Sequence, residues 1–426
     1  MFARSTTTLS RTSRFFARGK AASASRLDLG AAPAFFMDEA PAEGGGPAAS
    51  AAYTLSATGQ ALAPAATPIA VRSRYGLPGA ARPGTNALLP DTLAPPRADF
   101  PAVLQAGTGE AAGEGGELVA QSSPWRWAQA LRPHLDEMLP KHGIVCVTGL
   151  GECIGHAEGF TRFVEAVKSE YTCTRFMEGR SMTSTQVTDL VRTGSDDHPA
   201  YTIEPHNEYN VAAKHRPRKL FLVCSEEPTD GGEWCVTHGP GVLADMPRRI
   251  VEQFEARGGV RYEVWYPSAA QEGVYNHWQE NIAPTRAEAE EYLARSGCEW
   301  EWHEEDESLT IVRTDPAVAP HPETGEDCWF NQVHAHHRTF YQDCHPDFEG
   351  RGEDSGPWPV HTKYGDGGEI ADDDIALIRE AVWKNTVGVP LKKGLLMVVD
   401  NYRALHGRMS YAAGTPRQSL VSIIYE

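Results

Sequence analysis

The sequence predicts a mainly β fold, a β-sandwich or jelly roll decorated by helices. Short runs rich in β-branched and aromatic residues recur along the chain, for example at 219–224, 261–266 and 419–425. Helical patterns lie irregularly between these runs, without the regular strand–helix–strand alternation of a parallel sheet. The sequence also contains no internal repeat, no P-loop and no G-x-G-x-x-G motif.

The chain's bulk properties are those of a globular protein. It has 426 residues, of which 41% are hydrophobic and 23% charged, so a sizeable core can form. No apolar run approaches the roughly 20 residues that a membrane span needs, so we expect no membrane partner. The net charge of −18 repels phosphate backbones, and we therefore expect no nucleic-acid partner.

The first 97 residues are predicted to lie outside the folded body. Residues 1–29 contain six Arg and Lys residues before the first acid, Asp28, and this composition is typical of an organellar transit peptide. The sequence thus predicts a mitochondrial or plastid protein; a disordered tail on a cytoplasmic protein is the alternative. Residues 30–97 are rich in Ala, Pro and Gly and are predicted to form a disordered linker. A catalytic domain is then expected over 98–426, with a flexible glycine-rich piece at 107–117.

Helices and strands follow in a definite order within that domain. Helical spacing is found at 122–143 and 156–171, and strands are predicted at 144–150, 219–224, 261–266, 394–399 and 419–425. The segment 285–297 opens with a T-x-x-E capping box and ends at a glycine, which predicts a helix with defined ends. Residues 372–385 predict a further helix, since the acids of its first turn favour the helix dipole.

The eight cysteines form no C-x-x-C pair. A chain of this size does not need disulfide bonds to hold its core, and an organelle matrix or stroma is reducing. We therefore expect free thiols and no zinc site built on cysteines.

Residues 204–210, with the sequence EPHNEYN, place a histidine and a carboxylate two positions apart. On a strand, His206 and Glu208 would point to the same face and could reach one ion. With a second histidine they would form the two-histidine, one-carboxylate triad of non-haem Fe(II) oxygenases. About two H-x-[DE] pairs are expected by chance and this chain has six, so the pair alone is weak evidence.

The C-terminal region supplies the missing partners. His406 follows a predicted strand and turn, and Arg417 lies eleven residues later at the start of the next strand. Two adjacent antiparallel strands could present both side chains to one pocket. An arginine suits the far carboxylate of 2-oxoglutarate because its guanidinium stays charged and can bind in a bidentate way.

Several motifs together resemble the TauD/TfdA family of Fe(II)/2-oxoglutarate dioxygenases, and most closely its SyrP-like branch. PHNEYN is similar to the family's metal-binding strand, and DNYRALHGR to its distal-histidine segment. EPTDGGEW, HPETGEDCWFNQVHAHH, YGDGGEI and KHGIVCVTGL match in order and spacing, so the resemblance covers about residues 98–426. It implies a double-stranded β-helix (a cupin-like jelly roll), iron held by His206, Glu208 and His406, and Arg417 on the 2-oxoglutarate carboxylate.

One position departs from the family pattern. Relatives commonly have a threonine after the G-G-[DE] turn, where it helps to bind 2-oxoglutarate, and this chain has Trp234 there. A tryptophan cannot replace the threonine hydroxyl. The loop before Arg417 is also slightly longer than in SyrP-like chains.

The resemblance implies a hydroxylase that uses Fe(II), 2-oxoglutarate and O2 and releases succinate and CO2. Retention of Glu208 favours hydroxylation over halogenation, since halogenases of the superfamily lose this ligand. The expected substrate is a small amino-acid-like molecule, free or tethered to a carrier protein, or one with a trimethylammonium group. Tyr209, Asn210 and Asn331 are candidate substrate contacts. The alternatives are a cupin-like metalloenzyme that does not use 2-oxoglutarate and a catalytically silent metal-binding or interaction protein.

Overall fold

The structure is a computed structural model that describes residues 53–71, 89–108, 123–170, 175–176, 184–195, 197, 199–200, 202–212, 215–269, 277–344, 348, 351–352 and 356–425. The predicted transit peptide lies outside these ranges, as does most of the glycine-rich piece 107–117. Among the described residues, no helix combines the length and the apolar character that crossing a bilayer would require.

The described residues form eighteen strands and eight α-helices, which confirms a mainly β chain with decorating helices. The strands are β1 (Tyr53–Ala57), β2 (Ala102–Thr108), β3 (Ile144–Thr148), β4 (Arg175–Phe176), β5 (Arg192–Thr193), β6 (Ile203–His206), β7 (Lys219–Glu226), β8 (Trp234–His238), β9 (Val260–Tyr266), β10 (Glu299–His303), β11 (Ser308–Asp315), β12 (Val318–Pro320), β13 (Asp327–Trp329), β14 (Val360–Tyr364), β15 (Thr386–Val389), β16 (Leu396–Asp400), β17 (Ala404–Arg408) and β18 (Gln418–Tyr425). The helices are α1 (Pro124–His142), α2 (Ala157–Glu170), α3 (Gly239–Asp245), α4 (Arg248–Ala256), α5 (Trp278–Asn281), α6 (Arg286–Ser296), α7 (Arg338–Cys344) and α8 (Asp372–Lys384).

The strands form two principal sheets that share a core. The larger sheet has the order β1-β2-β3-β16-β7-β18-β4, with β5 also paired to β18, and only β2 and β3 run parallel. The smaller sheet has the order β15-β8-β17-β6 and is antiparallel throughout. A third sheet has the order β10-β11-β9-β14 and shares no strand with the other two.

Alternating side chains of β16 show how the layers are arranged. Leu396 and Val398 pack with residues of α1 and α2 on one face of the larger sheet. Met397 and Val399 pack on the other face with residues of β8 and β15 from the smaller sheet. The larger sheet therefore lies between a helical layer and the smaller sheet, as the period of two along a buried strand requires.

The chain passes repeatedly between the two principal sheets. β6, β8, β15 and β17 belong to the smaller sheet, whereas β7, β16 and β18 belong to the larger one. Successive strands from β6 to β8 and from β15 to β18 thus alternate between the sheets. The two sheets therefore share one core, which contains residues of both.

Helix α6 begins and ends as its capping signals predict. The side chain of Thr285 accepts a hydrogen bond from the amide of Glu288, and its hydroxyl donates to the Glu288 carboxylate. Gly297 ends the helix with a φ of 74°, in the left-handed region that glycine adopts without strain. The prediction for 285–297 is therefore confirmed.

Part of the predicted linker is instead folded, which corrects the interpretation of 30–97 as disordered. Tyr53–Ala57 forms β1 and pairs with β2, while Ile69, Val71 and Leu93 pack against Trp383 of α8 and against Met409. The Ala- and Pro-rich composition concealed a few well-spaced apolar residues, and these few are enough to attach the segment to the body. We call residues 53–71 and 89–97 the N-terminal strap.

Replacing Ile69 with alanine tests whether the strap contributes to stability. Ile69 is 5% exposed, so Ile69→Ala is expected to lower the free energy of unfolding by about 2–4 kcal/mol in urea denaturation. Ala61→Ser, at an exposed position of the same segment, is the control and should change stability by less than about 0.5 kcal/mol. If neither substitution changes the free energy of unfolding, the segment does not stabilise the fold and is only a linker.

Candidate metal centre

Antiparallel pairing of β6 with β17 sets His206 directly opposite His406. The two ring centroids are 4.7 Å apart, and Nε2 of His406 lies 3.6 Å from Oε2 of Glu208. One ligand atom from each of the three side chains lies within 4.8 Å of the other two. Residues 200 positions apart in sequence are thereby brought to distances at which one ion can bind all three.

The two histidines point into the space between the principal sheets. Ala404, two residues before His406 on β17, packs in the core shared by both sheets. His406 faces the same side because alternate residues of a strand share a face. His406 is 9% exposed, so the cluster is largely enclosed but still reached from one side.

Glu208 lies beyond the end of β6, which corrects the expectation that it shares a strand with His206. Its backbone is held instead by the side chain of Asn401. The Glu208 amide donates to Oδ1 of Asn401 at 2.7 Å, and Nδ2 of Asn401 donates to the Glu208 carbonyl at 2.8 Å. One side-chain amide thus takes the place of a strand partner and fixes the backbone that carries the carboxylate.

The orientation of His206 is suited to metal ligation. Its Nδ1 lies 2.8 Å from the carbonyl oxygen of Glu204, which can only accept, so Nδ1 carries the hydrogen. The lone pair is then on Nε2, at the outer end of the ring. A backbone carbonyl that fixes the tautomer in this way is the usual support of a metal-binding histidine.

The pKa shifts of His206 and Glu208 both favour the protonation states of metal ligands. Burial, with a smaller effect from nearby His406, lowers the pKa of His206 to about 4, so this imidazole is neutral near pH 7. Burial alone would raise the pKa of Glu208, but the hydrogen bond and charge of His406 outweigh it and the pKa is lowered. A neutral imidazole and an ionised carboxylate are the protonation states that a divalent cation requires.

A second group of possible ligands, His337, His361 and Glu369, has the opposite hydrogen-bond pattern. The amide of Arg338 donates to Nδ1 of His361 at 3.3 Å, which places the hydrogen on Nε2, and Nε2 lies 2.9 Å from the Glu369 carboxylate. The ammonium of Lys363 lies 3.3 Å from the same carboxylate. The charge of the Glu369 carboxylate is therefore already balanced by Lys363. The lone pair of His361 is on Nδ1 and points away from His337 and Glu369.

Arg417 does not lie on a strand adjacent to that of His406, which corrects the predicted arrangement. β17 belongs to the smaller sheet and β18, which Arg417 precedes, belongs to the larger one. The side chain reaches across to the start of β8, where its Nε donates to the carbonyl of Gly232 at 2.9 Å. Gly232 has a φ of 71°, and a Cβ atom there would lie 2.7 Å from Cδ of Arg417. The glycine of the G-G-E turn is thus required for the position of Arg417.

Two guanidinium groups lie close to one another at this end of the site, that of the buried Arg408 and that of the half-buried Arg417. Arg408 and Arg417 lie 5.1 and 5.5 Å from the ring centroid of Tyr411. Burial, and to a lesser extent the charge of Arg408, lowers the pKa of Arg417 to about 10, so it stays protonated at neutral pH. Neighbouring cations repel one another, and a bound carboxylate would relieve that repulsion.

Trp234 lies in the core rather than in the position of a cosubstrate ligand. It is 2% exposed, is paired with Arg408 across β8 and β17, and packs with Phe100 and Val236 between the sheets. Thr237 faces the other side of β8, where its hydroxyl bonds that of Thr386 at 2.6 Å. Neither side chain supplies the hydroxyl that the family's threonine would present to 2-oxoglutarate.

The three candidate substrate contacts have other partners in the structure. Asn331 is 2% exposed; its Nδ2 donates to the Ala317 carbonyl, and its Oδ1 accepts from the Val333 amide. Tyr209 is buried, with its hydroxyl bonded to Asp315. Oδ1 of Asn210 accepts from a backbone amide two residues on.

These bonds give Asn331 and Tyr209 structural roles and disfavour direct contact with a substrate. The substrate roles of all three stay predictions.

Two supporting residues of the site were not found from the sequence. Asn401 lies inside the quoted DNYRALHGR segment, and its position before the distal histidine is a signal that could have identified it. Arg379 of α8 bonds Glu204, two residues before His206 on β6, and nothing in its local sequence marks it.

The fold and the donor set define a class of protein. Two imidazoles and one carboxylate on one side of an ion, in a mainly β chain, are the ligands of mononuclear non-haem iron enzymes, which keep the remaining coordination positions open.

Comparison with known proteins agrees with that class. The model of the "Taurine catabolism dioxygenase TauD, TfdA family" matches residues 112–423. The chain is 27% identical over 296 residues to the dapdiamide synthesis protein DdaC of Enterobacter agglomerans, covering 68% of this chain and 85% of that protein. It is 25% identical over 298 residues to a clavaminate synthase-like protein of Arabidopsis thaliana, covering 68% and 84%. Among solved structures, PvcB of Pseudomonas aeruginosa has 15% identity and a TM-score of 0.41, covering 78% of this chain and 87% of that one.

The chain belongs to the TauD/TfdA family of dioxygenases. It is thus a 2-oxoglutarate-dependent non-haem iron dioxygenase, and the cofactor and cosubstrates of this class are Fe(II), 2-oxoglutarate and O2.

The contrast between the two ligand groups predicts where a divalent cation binds. Titration of the metal-free protein with Co(II) is expected to reach one equivalent, because Nε2 of His206 carries a lone pair beside the ionised Glu208, whereas His361 in the second group directs its N–H at Glu369. His406→Ala should abolish that equivalent, and His361→Ala, the control, should leave it unchanged. Loss of Co(II) binding in His361→Ala would place the cation at the second group, and would contradict this prediction.

Proposed function

We propose that the protein binds Fe(II) through His206, Glu208 and His406 and hydroxylates an unactivated C–H bond of a small amino-acid-like substrate. The observation that carries this proposal is the arrangement of the three ligand atoms, each within 4.8 Å of the others. The tautomer of His206 and the ionised state of Glu208 fit a divalent cation, so the donor set present suits the metal of the family. None of the three ligands is missing, which argues against a catalytically silent protein.

The overall reaction balances with the cosubstrates of the class. One oxygen atom of O2 enters the substrate, whose C–H becomes C–OH. The other enters 2-oxoglutarate, which loses CO2 and becomes succinate. Bound iron supplies the activation of O2, and this chain's residues supply orientation and a site screened from water.

Arg417 is the residue proposed to bind the far carboxylate of 2-oxoglutarate. Its Nε donates to the carbonyl of Gly232 and its guanidinium lies near that of Arg408, so two cations are present at this end of the site. That charge favours a dicarboxylate cosubstrate over the alternative of a metalloenzyme that does not use 2-oxoglutarate. Because Trp234 offers no hydroxyl to the cosubstrate, we infer that Arg417 contributes a larger share of the affinity than in relatives with the threonine.

We also propose that the two principal sheets form a double-stranded β-helix around the iron site. The alternation of successive strands between the sheets supports this, as does the shared core between them. In this arrangement the metal ligands lie on the smaller sheet and at its edge, and point inward.

The proposed substrate class is supported less directly than the reaction. The relatives of Enterobacter agglomerans and Arabidopsis thaliana are named for dapdiamide synthesis and for likeness to clavaminate synthase, which are synthetic roles. We propose by analogy a small molecule of amino-acid type, free or carried by a partner protein; a trimethylammonium substrate and assignment to the SyrP-like branch stay predictions. Location in a mitochondrion or plastid, rather than the cytoplasm, is proposed on the basic N-terminal segment alone.

Anaerobic titration with Fe(II) and then 2-oxoglutarate tests the proposal. The wild-type protein is expected to develop the visible charge-transfer band of the iron–2-oxoglutarate chelate. Arg417→Gln should bind Fe(II) normally but need much more 2-oxoglutarate, since it loses the charge that binds the far carboxylate. Fe(II) binding without any band in the wild type would favour the metalloenzyme that does not use 2-oxoglutarate.

Gly232→Ala should weaken 2-oxoglutarate binding without altering iron binding. The added Cβ would displace the Arg417 side chain, and the expected loss is about tenfold, or about 1.4 kcal/mol. Gly414→Ala is the matched control, because Gly414 also has a positive φ of 80° but no atom within 4 Å of an added Cβ. Backbone strain alone would make the two variants equal, which would contradict the role given to Gly232.

A further inference from the structure

Glu204 and His206 are two residues apart but face opposite sides of the smaller sheet. His406 is paired with His206, and Arg408 is paired with Ile203. Between these two pairs β6 advances by three residues and β17 by only two. This extra residue is a β-bulge, a feature that re-aims side chains near active sites. Glu204 turns toward α8, while His206 turns toward the space between the sheets.

The carboxylate of Glu204 is the centre of a buried polar network. Nε of Arg379 donates to its two oxygens at 3.1 and 3.0 Å, and Nε1 of Trp383 donates to Oε1 at 3.1 Å. Both charged side chains are almost fully buried, with 3% of Arg379 and 2% of Glu204 exposed. Glu204 is therefore almost fully shielded from solvent.

The same guanidinium also bonds two residues outside α8, one of which contacts the metal-binding strand. Arg379 donates to the hydroxyl of Thr339 at 2.8 Å and to the carbonyl of His334 at 2.9 Å. Nε2 of His334 in turn lies 2.9 Å from the carbonyl of Pro205 and donates to it. Arg379 thus fixes Glu204 directly and Pro205 through His334.

We propose that Arg379 is a positioning residue for the iron site, acting through Glu204 on His206. The carbonyl of Glu204 is the acceptor that fixes the His206 tautomer, and the Glu204 carboxylate is tied to Arg379, so the anchor and the ligand share one residue's backbone. Partners of this kind typically change metal affinity by about 10- to 100-fold when removed. This inference rests on the iron site proposed above.

The competing explanation is that the pair only stabilises the fold. Breaking a buried ion pair by removing one partner is strongly destabilising, because the other charge is left without compensation. Loss of metal binding in a single variant could then reflect general loosening of α8 against the sheet. A test must therefore separate metal affinity from stability.

The Arg338–Asp372 pair, which is less buried, provides a control on the same helix. Arg338 begins α7 and its Nη2 donates to Asp372, in the first turn of α8, at 2.6 Å. This bond joins the same helix to the same loop region as Arg379 does, but it does not contact Glu204. Arg338→Gln should therefore loosen α8 without affecting the anchor of His206.

The experiment is a Co(II) titration of the full chain, followed through the visible d–d bands of the bound ion, with thermal unfolding measured on the same samples. Arg379→Gln is expected to lower Co(II) affinity about 10- to 100-fold and to change the band shape, whereas Arg338→Gln should stay within about twofold of wild type. Arg379→Lys keeps the positive charge but lacks the several N–H donors of the guanidinium. Its Co(II) affinity should therefore lie between those of wild type and Arg379→Gln.

The double variant Glu204→Gln/Arg379→Gln keeps the test valid if Arg379→Gln fails to fold. It leaves no unpaired buried charge, so its melting temperature should recover while its Co(II) affinity stays low. Recovery of both, or equal losses of affinity in Arg379→Gln and Arg338→Gln, would overturn the positioning role. Absence of Co(II) binding in wild type would overturn the iron site itself, a result distinct from either.

Discussion

The antiparallel pairing of β6 with β17 is the interaction on which the site depends. It places His206 opposite His406 and, through the bulge in β6, sends Glu204 to the opposite face. The pairing ends at His206, so the third ligand, Glu208, needs a separate support, and Asn401 provides it. One strand pair and one side-chain amide therefore fix three ligands that come from two distant parts of the chain.

Two groups of charged residues near this pairing are arranged differently. On the outer face of the smaller sheet, Glu204 and Arg379 neutralise one another and are fully hydrogen-bonded, as buried charges must be. On the side of Arg417, two guanidinium groups lie close together and the pKa of each is lowered, chiefly by burial. The first arrangement is self-sufficient and suits a scaffold. The second brings two cations together and suits an anionic cosubstrate.

Much of the candidate site could be predicted from the sequence because its residues lie in short motifs. His206, Glu208 and His406 were found from spacing and from resemblance, and the structure brings their ligand atoms together. The sheet that carries each residue could not be predicted, since strand order depends on long-range pairing: Arg417 precedes a strand of the larger sheet, not of the smaller. Arg379 was not found because its role depends on a tertiary contact 175 residues away. The strap was missed because average composition hides the few apolar residues, such as Ile69 and Leu93, that attach it.

The most direct test of this account is the position of the metal itself. Crystals of the protein loaded anaerobically with Fe(II) should give a single anomalous peak at the iron edge, at bonding distance from Nε2 of His206, a carboxylate oxygen of Glu208 and Nε2 of His406. A peak beside His337 and His361, or iron bound without Glu208, would contradict the proposed centre and the role of the β6–β17 pairing in building it.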